Sequence, residues 1–373
     1  MHVIALENEP STRRGGQEIS LRDVCRGLTQ RGHTVTLLYR SPGNLLDEYR
    51  SFCQQVMPLR QYRVEMKQPL TSSWQLIDDL RRVPAPPNSL VYSNQYHDSF
   101  SGMVLARLKG LPFVCHLRLP PPPALGWQWN LGMRSTRRLI AVSQQTKGEW
   151  IKRGFAANRI DVVYNGVSPE RFTPATNRQE ARSQLSLPAD IPLISYVSRL
   201  DRDKGLETLI RAFDQAMQQG LTAHLAIAGK PHNQRPEYLD TLKSLVHSLS
   251  LANHITFLGH VSQPQQVYQA SDLMVLPSEW PEPFARSLLE AMACGIPVLG
   301  SRMGGIPELL SGPFSRHLFE AGSVEELASK LQQFIHWREQ EPDLGQRCRD
   351  HIAQNFNLTK TVDGVEAALL KAL

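Results

Sequence analysis

The sequence predicts an α/β protein built from two doubly wound, parallel-sheet domains. Its 373 residues are 41% hydrophobic and 20% charged, and this length suits two α/β domains of ordinary size. Short apolar runs typical of buried strands alternate with segments that carry apolar residues at helical spacing. Such alternation builds parallel sheets with helices on both faces.

The first domain is expected to begin with a strand, a helix and a second strand. Residues 2–8 and 34–39 are predicted as strands, and a helix is predicted over 17–30, closed by Gly32. Four further strands are predicted in this half of the chain, at 91–93, 113–115, 139–142 and 161–163.

A linker near residues 168–185, marked by Pro169 and Pro174, leads into the second domain. The strands predicted beyond it are 193–197, 224–228, 255–257, 274–276 and 297–300. The expected domains are therefore residues 1–175 and 176–355.

Two carboxylates stand eight residues apart where the second domain is expected to pass from strand to helix. Residues 273–277 are predicted as a buried strand and 284–294 as a helix, which places Glu282 in the turn and Glu290 in the helix. The free N–H groups and positive dipole end of a helix start favour an anion such as a diphosphate. A carboxylate in the helix could accept two hydrogen bonds from a ribose diol. A solvated helix face would give the same pattern.

A second loop of this domain supplies two cations. Arg199 and Lys204 follow a predicted strand and precede a helical pattern over 206–217. In open α/β sheets, ligands bind at the carboxyl ends of strands. Two cations there can neutralise a leaving diphosphate. A basic solvated turn is the alternative interpretation.

Together the two segments resemble retaining glycosyltransferases of the GT-B fold, most of all family 4, whose members carry an E-x7-E motif and an upstream R-x4-K loop. The resemblance covers nearly the whole chain. It extends to residues 13–16 (Arg13, Arg14, Gly15 and Gly16), 140–143, 165–167, 257–259, 272–278, 293–298 and 304–308.

The resemblance implies two Rossmann-like domains that face a cleft. Residues 1–175 would bind the acceptor and 176–355 the nucleotide sugar, and a last helix within 356–373 would pack back onto the first domain. Glu282 would contact the donor sugar, Glu290 the ribose, and Arg199 with Lys204 the diphosphate. The full donor-binding set that it implies is Gly15, Gly16, Arg199, Lys204, Val261, Glu282, Pro283, Phe284, Ala285, Arg286, Ser287 and Glu290.

Gly15 and Gly16 follow the first strand, and glycines there let the backbone approach a ligand closely. A tight turn that needs positive φ would give the same sequence.

The catalytic set joins Glu282, Arg199 and Lys204 to either His116 or Arg118. Many family members place a histidine after this strand, and alignment on Pro112 puts its usual position at Arg118, with His116 two residues earlier. Side chains two apart on a strand point to the same face, so either could enter the cleft. Arg118 could donate to a sugar hydroxyl or an acceptor phosphate but cannot act as a base.

A proline run with two tryptophans follows at once. Pro120 to Pro123 form a stiff, extended segment, and Trp127 and Trp129 could stack on a sugar ring or meet a lipid interface. They could equally be packing residues beneath a long loop. The acceptor is expected near this loop.

The predicted activity is transfer of a sugar from a nucleotide-diphosphate donor to an acceptor hydroxyl with retention, without a metal, by a hexosyltransferase. The base is open among uracil, guanine, adenine and thymine, with UDP as the working expectation. A D-x-D pair, Asp201 and Asp203, would instead imply a metal-dependent transferase. A sugar-nucleotide 2-epimerase of the same fold and a non-catalytic nucleotide-sugar-binding protein would also be compatible with these residues.

The charge and the cysteine content limit which partners and cofactors are expected. Residues 1–175 carry 23 Lys and Arg against 13 Asp and Glu, a net charge of +10. Such a surface could attract an anionic membrane or a phosphorylated acceptor. The expected acceptor is a sugar, a sugar-phosphate or a lipid-linked sugar. The five cysteines lack C-x-x-C spacing, so neither disulfides nor zinc are expected. No cofactor and no nucleic acid are predicted, and the expected location is cytoplasmic with peripheral contact at the inner membrane face.

Overall fold

The computed structural model describes residues 1–12, 15–231 and 237–373. They form two compact units, Met1–Asn165 with Leu358–Leu373, and Gly166–Asn357. The division falls at residue 165, whereas the sequence placed it at 175. Residues after Asn165 join the second unit because Val167 bridges to Asn357 and the Phe172 ring lies 6.5 Å from that of Tyr268.

The first unit contains a seven-stranded parallel sheet with strand order β3-β2-β1-β4-β5-β6-β7. Its strands are β1 (His2–Leu6), β2 (Thr34–Tyr39), β3 (Gln55–Pro58), β4 (Ser89–Ser93), β5 (Phe113–Leu117), β6 (Arg138–Ala141) and β7 (Ile160–Val162). The connecting helices are α1 (Gly16–Gln30), α2 (Leu46–Phe52), α3 (Pro69–Arg81), α4 (Ser99–Lys109), α5 (Trp127–Arg134) and α6 (Gln144–Lys152).

Alternate residues of β1 show why this sheet is covered on both faces. Ile4 and Leu6 pack in one buried cluster with residues of α3 and α4, whereas Val3 and Ala5 pack in another with residues of α1. Since strand side chains alternate between faces, a strand that is apolar throughout needs helices on each side. The doubly wound arrangement predicted from the sequence is thus confirmed.

The second unit contains a six-stranded parallel sheet with order β10-β9-β8-β11-β12-β13. Its strands are β8 (Leu193–Val197), β9 (His224–Ala228), β10 (Ile255–Gly259), β11 (Leu273–Leu276), β12 (Val298–Ser301) and β13 (Leu318–Phe319). Its helices are α7 (Arg178–Gln184), α8 (Leu206–Gln218), α9 (Tyr238–Ser248), α10 (Pro264–Ala270), α11 (Arg286–Ala293), α12 (Ile306–Leu309), α13 (Val324–Ile335), α14 (Trp337–Gln340) and α15 (Leu344–Asn355).

In both sheets the chain order reverses beside one strand. β1 lies between β2 and β4, and β8 lies between β9 and β11. At such a switch point the loops after two neighbouring strands run in opposite directions, and a crevice opens at their carboxyl ends. The loops that follow β8 and β11 carry Lys204 and Glu282.

The last helix, α16 (Leu358–Leu370), belongs to the first unit. It packs against α1, where a Cβ on Gly27 would lie 2.5 Å from the Val362 side chain. Only a glycine lets the two helices approach so closely. Residues 356 and 357, which were expected with this helix, lie in the second unit.

Two further findings concern the chain as a whole. The five cysteines are free, and all but the half-buried Cys53 are buried. Across the described ranges, no helix has the length and apolar character needed to cross a membrane.

Candidate functional site

The two loops at the switch point of the second sheet are bound closely to each other. The backbone N–H groups of Glu279 and Trp280 both donate to the carbonyl oxygen of Asp203, at 2.9 and 3.1 Å. Gly205 has φ +67°, and a Cβ there would overlap the carbonyl oxygen of Pro277. The conformation after β8 is therefore fixed by the backbone after β11.

This packing pairs Lys204 with Glu282, two residues that are distant in sequence. Nζ of Lys204 contacts Oε1 of Glu282, and both side chains are largely buried. The hydroxyl of Ser278 donates to the same carboxylate oxygen at 2.8 Å. The Glu282 backbone is also held, because the N–H of Gly305 donates to its carbonyl oxygen at 2.7 Å.

Glu290 is held from both sides of its carboxylate. Nε of Arg286 donates to Oε1 at 2.8 Å, and the Tyr268 hydroxyl donates to Oε2 at 3.0 Å. Burial, followed by the negative charge of Glu290, raises the pKa of Tyr268 well above its usual value. Tyr268 therefore stays a neutral donor to the carboxylate.

The helix that carries Glu290 begins later than the sequence predicted. α11 starts at Arg286, whereas the helical pattern was extended back to Phe284. Phe284 is buried with its ring 5.4 Å from that of Phe356, and Ala285 has an extended backbone. Packing of this phenylalanine accounts for the difference. Ala285 stands at the N-cap position and has no side-chain oxygen with which to cap the first turn.

The other predicted donor-binding residues described below do not share the ion pairs and hydrogen bonds that hold Lys204, Glu282 and Glu290. The Arg199 side chain is exposed, and its carbonyl oxygen accepts the Tyr196 hydroxyl at 2.7 Å. Val261 is half-buried just beyond β10. Gly15 and Gly16 lie in the first unit, where Gly16 begins α1 and Gly15 has φ +153°. Arg13 and Arg14 lie outside the described residues.

His116 is buried within β5. Its Nδ1 and the Tyr92 hydroxyl share a hydrogen bond of 2.6 Å. Burial, followed by the positive charge of Arg118, lowers the pKa of His116 well below its usual value. The imidazole is therefore neutral at neutral pH.

Arg118 follows the end of β5 and belongs to a buried polar chain. Its Nε donates to Oδ1 of Asn94 and its Nη1 to Oδ1 of Asn165, both at 2.8 Å. Nδ2 of Asn94 in turn donates to the Glu7 carboxylate at 2.6 Å. The amide of Asn94 thus connects the guanidinium to a buried carboxylate.

Sequence reasoning missed several of these partners, among them Ser278, Tyr268, Asn94 and Glu7. A usable signal existed for Glu7 and Asn94, because each directly follows a strand, as Arg118 does. The carboxyl ends of parallel strands lie at one edge of the sheet, and β1, β4 and β5 are neighbours. Polar residues that directly follow these strands are therefore expected to lie close together. Tyr268 lies on α10 and carries no comparable local signal.

The D-x-D pair, Asp201 and Asp203, lies in the loop after β8. Among the described residues, no group of three or more His, Cys, Asp and Glu side chains is arranged to hold a metal ion. The carbonyl oxygen of Asp203 binds the loop after β11.

Comparison with known proteins gives the class. Residues 14–171 match the family model described as Glycosyltransferase Family 4, and residues 177–351 match that described as Glycosyl transferases group 1. With the two parallel sheets, these matches define a glycosyltransferase of the GT-B fold. The chain belongs to this class, and within it the chain resembles glycosyltransferase family 4.

Solved structures agree on the fold. HepE of Anabaena, in complex with UDP-glucose, has a TM-score of 0.84 at 23% identity, with 100% of both chains covered. A glycosyltransferase from Rickettsia africae has a TM-score of 0.84 at 20% identity, covering 100% of this chain and 99% of that one.

Curated relatives are similar over part of their length. The D-inositol 3-phosphate glycosyltransferase of Mycolicibacterium smegmatis is 32% identical over 58% of this chain and 48% of the relative. The N-acetyl-alpha-D-glucosaminyl L-malate synthase of Bacillus anthracis is 28% identical over 65% of this chain and 62% of the relative. The match thus spans less than two thirds of either relative.

Proposed function

We propose that this protein transfers a sugar from a nucleotide-diphosphate donor to an acceptor hydroxyl, with retention at the anomeric carbon and without a metal ion. The observation that carries the proposal is the pairing of Lys204 with Glu282 at the switch point of the second sheet. A cation and a carboxylate held together there suit a ligand that has phosphate at one end and sugar hydroxyls at the other.

Donor binding would exchange this ion pair for contacts with the ligand. A diphosphate competes with Glu282 for the Lys204 ammonium, and charge-assisted contacts to phosphate are strong. Once released, the Glu282 carboxylate can accept hydrogen bonds from the donor sugar while Ser278 still holds it. Arg199 lies on the same loop, where its exposed side chain can add a second positive charge.

Glu290 would bind the ribose of the donor. A carboxylate can accept hydrogen bonds from both hydroxyls of a diol. Tyr268 and Arg286 keep the Glu290 carboxylate in one orientation, which lowers the entropy that ribose binding must cost. The start of α11, which has no side-chain cap, would offer its free N–H groups and positive dipole end to the donor phosphates.

The chemical step would need no protein nucleophile. The bond between the anomeric carbon and the leaving phosphate oxygen breaks, and the acceptor hydroxyl attacks from the same face. Its proton passes to the departing phosphate oxygen, and the products are the glycoside and the nucleoside diphosphate. Lys204 and Arg199 would stabilise the charge that develops on the leaving group, a role that otherwise falls to a metal ion.

In the first unit we favour Arg118 over His116 as the residue that meets donor or acceptor. His116 lies inside β5 with Nδ1 taken by Tyr92, whereas Arg118 follows the strand end. Two asparagines hold the Arg118 guanidinium, so it suits a fixed donor to a hydroxyl or a phosphate. It would bind without transferring a proton.

The test is a thermal-shift screen with UDP, GDP, ADP and TDP and their sugar conjugates, with magnesium or with EDTA, since a bound ligand raises the melting temperature. UDP-glucose is the first probe because HepE was solved with it. Glu290→Ala should abolish the shift, while Arg211→Ala, an exposed change on α8, should preserve it.

Turnover with candidate acceptors then separates these possibilities. A product of unchanged anomeric configuration formed in EDTA supports the proposal. Dependence on magnesium would favour a metal-dependent transferase that uses the D-x-D pair. Isomerisation of the sugar nucleotide without an acceptor would indicate an epimerase, and binding without any turnover a binding protein.

A further inference from the structure

We propose that the first unit carries a docking surface for an anionic lipid bilayer, formed by the loop before α3, one face of α3 and one face of α5. This inference does not depend on the donor or on the reaction. It begins with five large apolar side chains that are exposed to solvent, here called the apolar patch: Met66, Leu70, Trp74, Trp127 and Leu131.

The spacing of these residues places them on two helix faces. Leu70 and Trp74 are four residues apart on α3, and Trp127 and Leu131 are four apart on α5. Residues at this spacing lie on the same side of a helix. Four of the five side chains are between 57% and 86% exposed, and only Leu131, at 41%, is less so.

Hydrogen bonds hold the two parts of the patch beside each other. The Gln128 side chain accepts from the N–H of Val64 at 3.0 Å and donates to the carbonyl oxygen of the same residue at 2.8 Å. Gln128 directly follows Trp127, and Met66 is two residues beyond Val64. The start of α5 and the loop before α3 are therefore neighbours, and exposed apolar side chains grouped in one region of a surface mark an interaction site.

The charges around the patch indicate which partner it fits. Residues 66–77 contain no Asp or Glu, and residues 99–148 contain seven Lys and Arg but no Asp or Glu. Of those seven, Arg118 is buried and Arg138 is paired with Asp161, so neither adds to the charge of the surface. Arg134 lies seven residues after Trp127, on the same face of α5.

The nearest carboxylates do not offset this positive charge. Glu65 pairs with Arg40, and Asp78 and Asp79 pair with Arg60. Within the described part of the chain, Arg63 and Lys67 are exposed and form no ion pair. Cations that flank the patch therefore keep their full charge.

Tryptophan, leucine and methionine side chains bordered by unpaired cations match the surface of an anionic bilayer. Tryptophan favours the headgroup region, where one edge of its ring is wet and the other apolar. Each cation near an anionic surface adds attraction, and the apolar side chains add burial at the acyl boundary. A protein partner with an acidic rim is the competing occupant, and the experiment below distinguishes it.

The experiment is co-sedimentation of the full chain with vesicles of phosphatidylglycerol and phosphatidylcholine, and with vesicles of phosphatidylcholine alone. Binding is expected only to the anionic vesicles, and it should weaken as salt rises from low to physiological concentration. The double variants Leu70→Ser/Trp74→Ser and Trp127→Ser/Leu131→Ser should each lower the partition coefficient about tenfold or more. Lys67→Glu should lower it at least about fivefold.

Matched surface changes serve as controls. Leu370→Ser removes an exposed leucine from α16, and Lys243→Glu reverses an exposed lysine on α9; both should bind vesicles as the unchanged protein does. Every position is exposed, so equal melting temperatures will show that all variants fold.

Three outcomes would overturn the proposal. The first is an absence of vesicle binding, and the second is binding that the patch variants leave unchanged or that the controls weaken equally. The third is concentration-dependent self-association, seen by light scattering without vesicles and lost in the patch variants. That result would make a second copy of the chain the occupant.

Discussion

At the scale of single residues, the candidate site depends on ion pairs that a ligand can exchange. The Lys204 ammonium is a compact, strongly hydrated charge on a flexible stem. In the second unit it has given up much of its water for the Glu282 carboxylate and lies 5.8 Å from the centre of the Trp280 ring. A diphosphate carries more negative charge than the carboxylate, so we expect the Lys204 ammonium to exchange its contact with Glu282 for one with the phosphate.

Lys204→Ala should lower turnover by about a hundredfold or more, because it removes a charge that stabilises the developing diphosphate. Nucleotide affinity should fall much less, since the contact strengthens as the leaving group departs. Steady-state kinetics together with a binding titration measure both effects. Lys243→Ala, an exposed change on α9, is the control. Loss of affinity with unchanged turnover would mean that Lys204 binds the ground state only.

Tyr268→Phe should weaken binding of a nucleoside diphosphate by about threefold to tenfold, which is what one hydrogen bond is worth. Without the hydroxyl, the Glu290 carboxylate loses the donor at Oε2 and becomes less fixed toward the ribose. Affinity for the 2',3'-dideoxy analogue should not change, because that ligand lacks the diol. Calorimetric titration measures both.

The control for this variant is Tyr238→Phe. Tyr238 is also a buried tyrosine of the second unit, and its hydroxyl has no hydrogen-bond partner among the described residues. Equal losses for both nucleotides in the Tyr268 variant would contradict the ribose assignment.

At the scale of elements, the loops after β8 and β11 act as one structure. Three backbone features join them: the two N–H groups that donate to the carbonyl oxygen of Asp203, and the close approach of Gly205 to Pro277. Lys204 immediately precedes this glycine. Its position is therefore fixed by the backbone of a segment more than seventy residues away.

Gly205→Ala tests this coupling. A Cβ at φ +67° costs about 1–2 kcal/mol by itself, and here it also collides with the Pro277 carbonyl. Gly110→Ala is the matched control, because Gly110 has the same φ and no atom within 4 Å of an added Cβ. Denaturant unfolding should show the larger loss for Gly205→Ala, with nucleotide binding weakened in that variant alone. Equal losses would show that the two loops separate at no cost.

The sequence predicted most strands and the order of strand and helix, because buried parallel strands are continuous apolar runs that local pattern reveals. It missed β3 and β13, which lie at sheet edges and are four and two residues long. A two-residue strand is too short to show an apolar run, and β3 is only half-buried, so neither has the pattern of a buried strand. The start of α11 was wrong for another reason, since the contact of Phe284 with Phe356 keeps that segment out of the helix.

At the scale of the whole molecule, each unit has its own sheet and core, and the end of the chain completes the first unit. Buried residues of α16, including Val362, Val365 and Leu369, belong to the same cluster as Leu21 and Val24 of α1. The carboxylate of Glu366 adds contacts to Arg31 and His33 at 2.5 Å. The last helix, α16, which has 13 residues, therefore completes a core that also contains Val3 of the first strand.

Leu369→Ala should destabilise the first unit by about 2–5 kcal/mol, the usual cost of a cavity at a buried leucine. Its neighbour Leu370 is 51% exposed, so Leu370→Ala should change stability by no more than about 0.5 kcal/mol. Hydrogen exchange read by mass spectrometry should show faster exchange in β1, β2 and α1 of the first variant, with the second unit unchanged. Faster exchange in both units would show that they unfold together.

Local sequence was enough to establish the fold class, the alternation of strand and helix, the loops in which Glu282, Arg199 and Lys204 lie, and the helix that carries Glu290. These features follow from the pattern of apolar residues and from the spacing of motifs, and both can be read without knowing which distant residues are in contact. Tertiary contacts were needed to show that Lys204 meets Glu282, that Tyr268 holds Glu290, and that Asn94 connects Arg118 to Glu7. The physical reason is that strand order in the two sheets brings together side chains that are far apart in sequence, and no local pattern records that order.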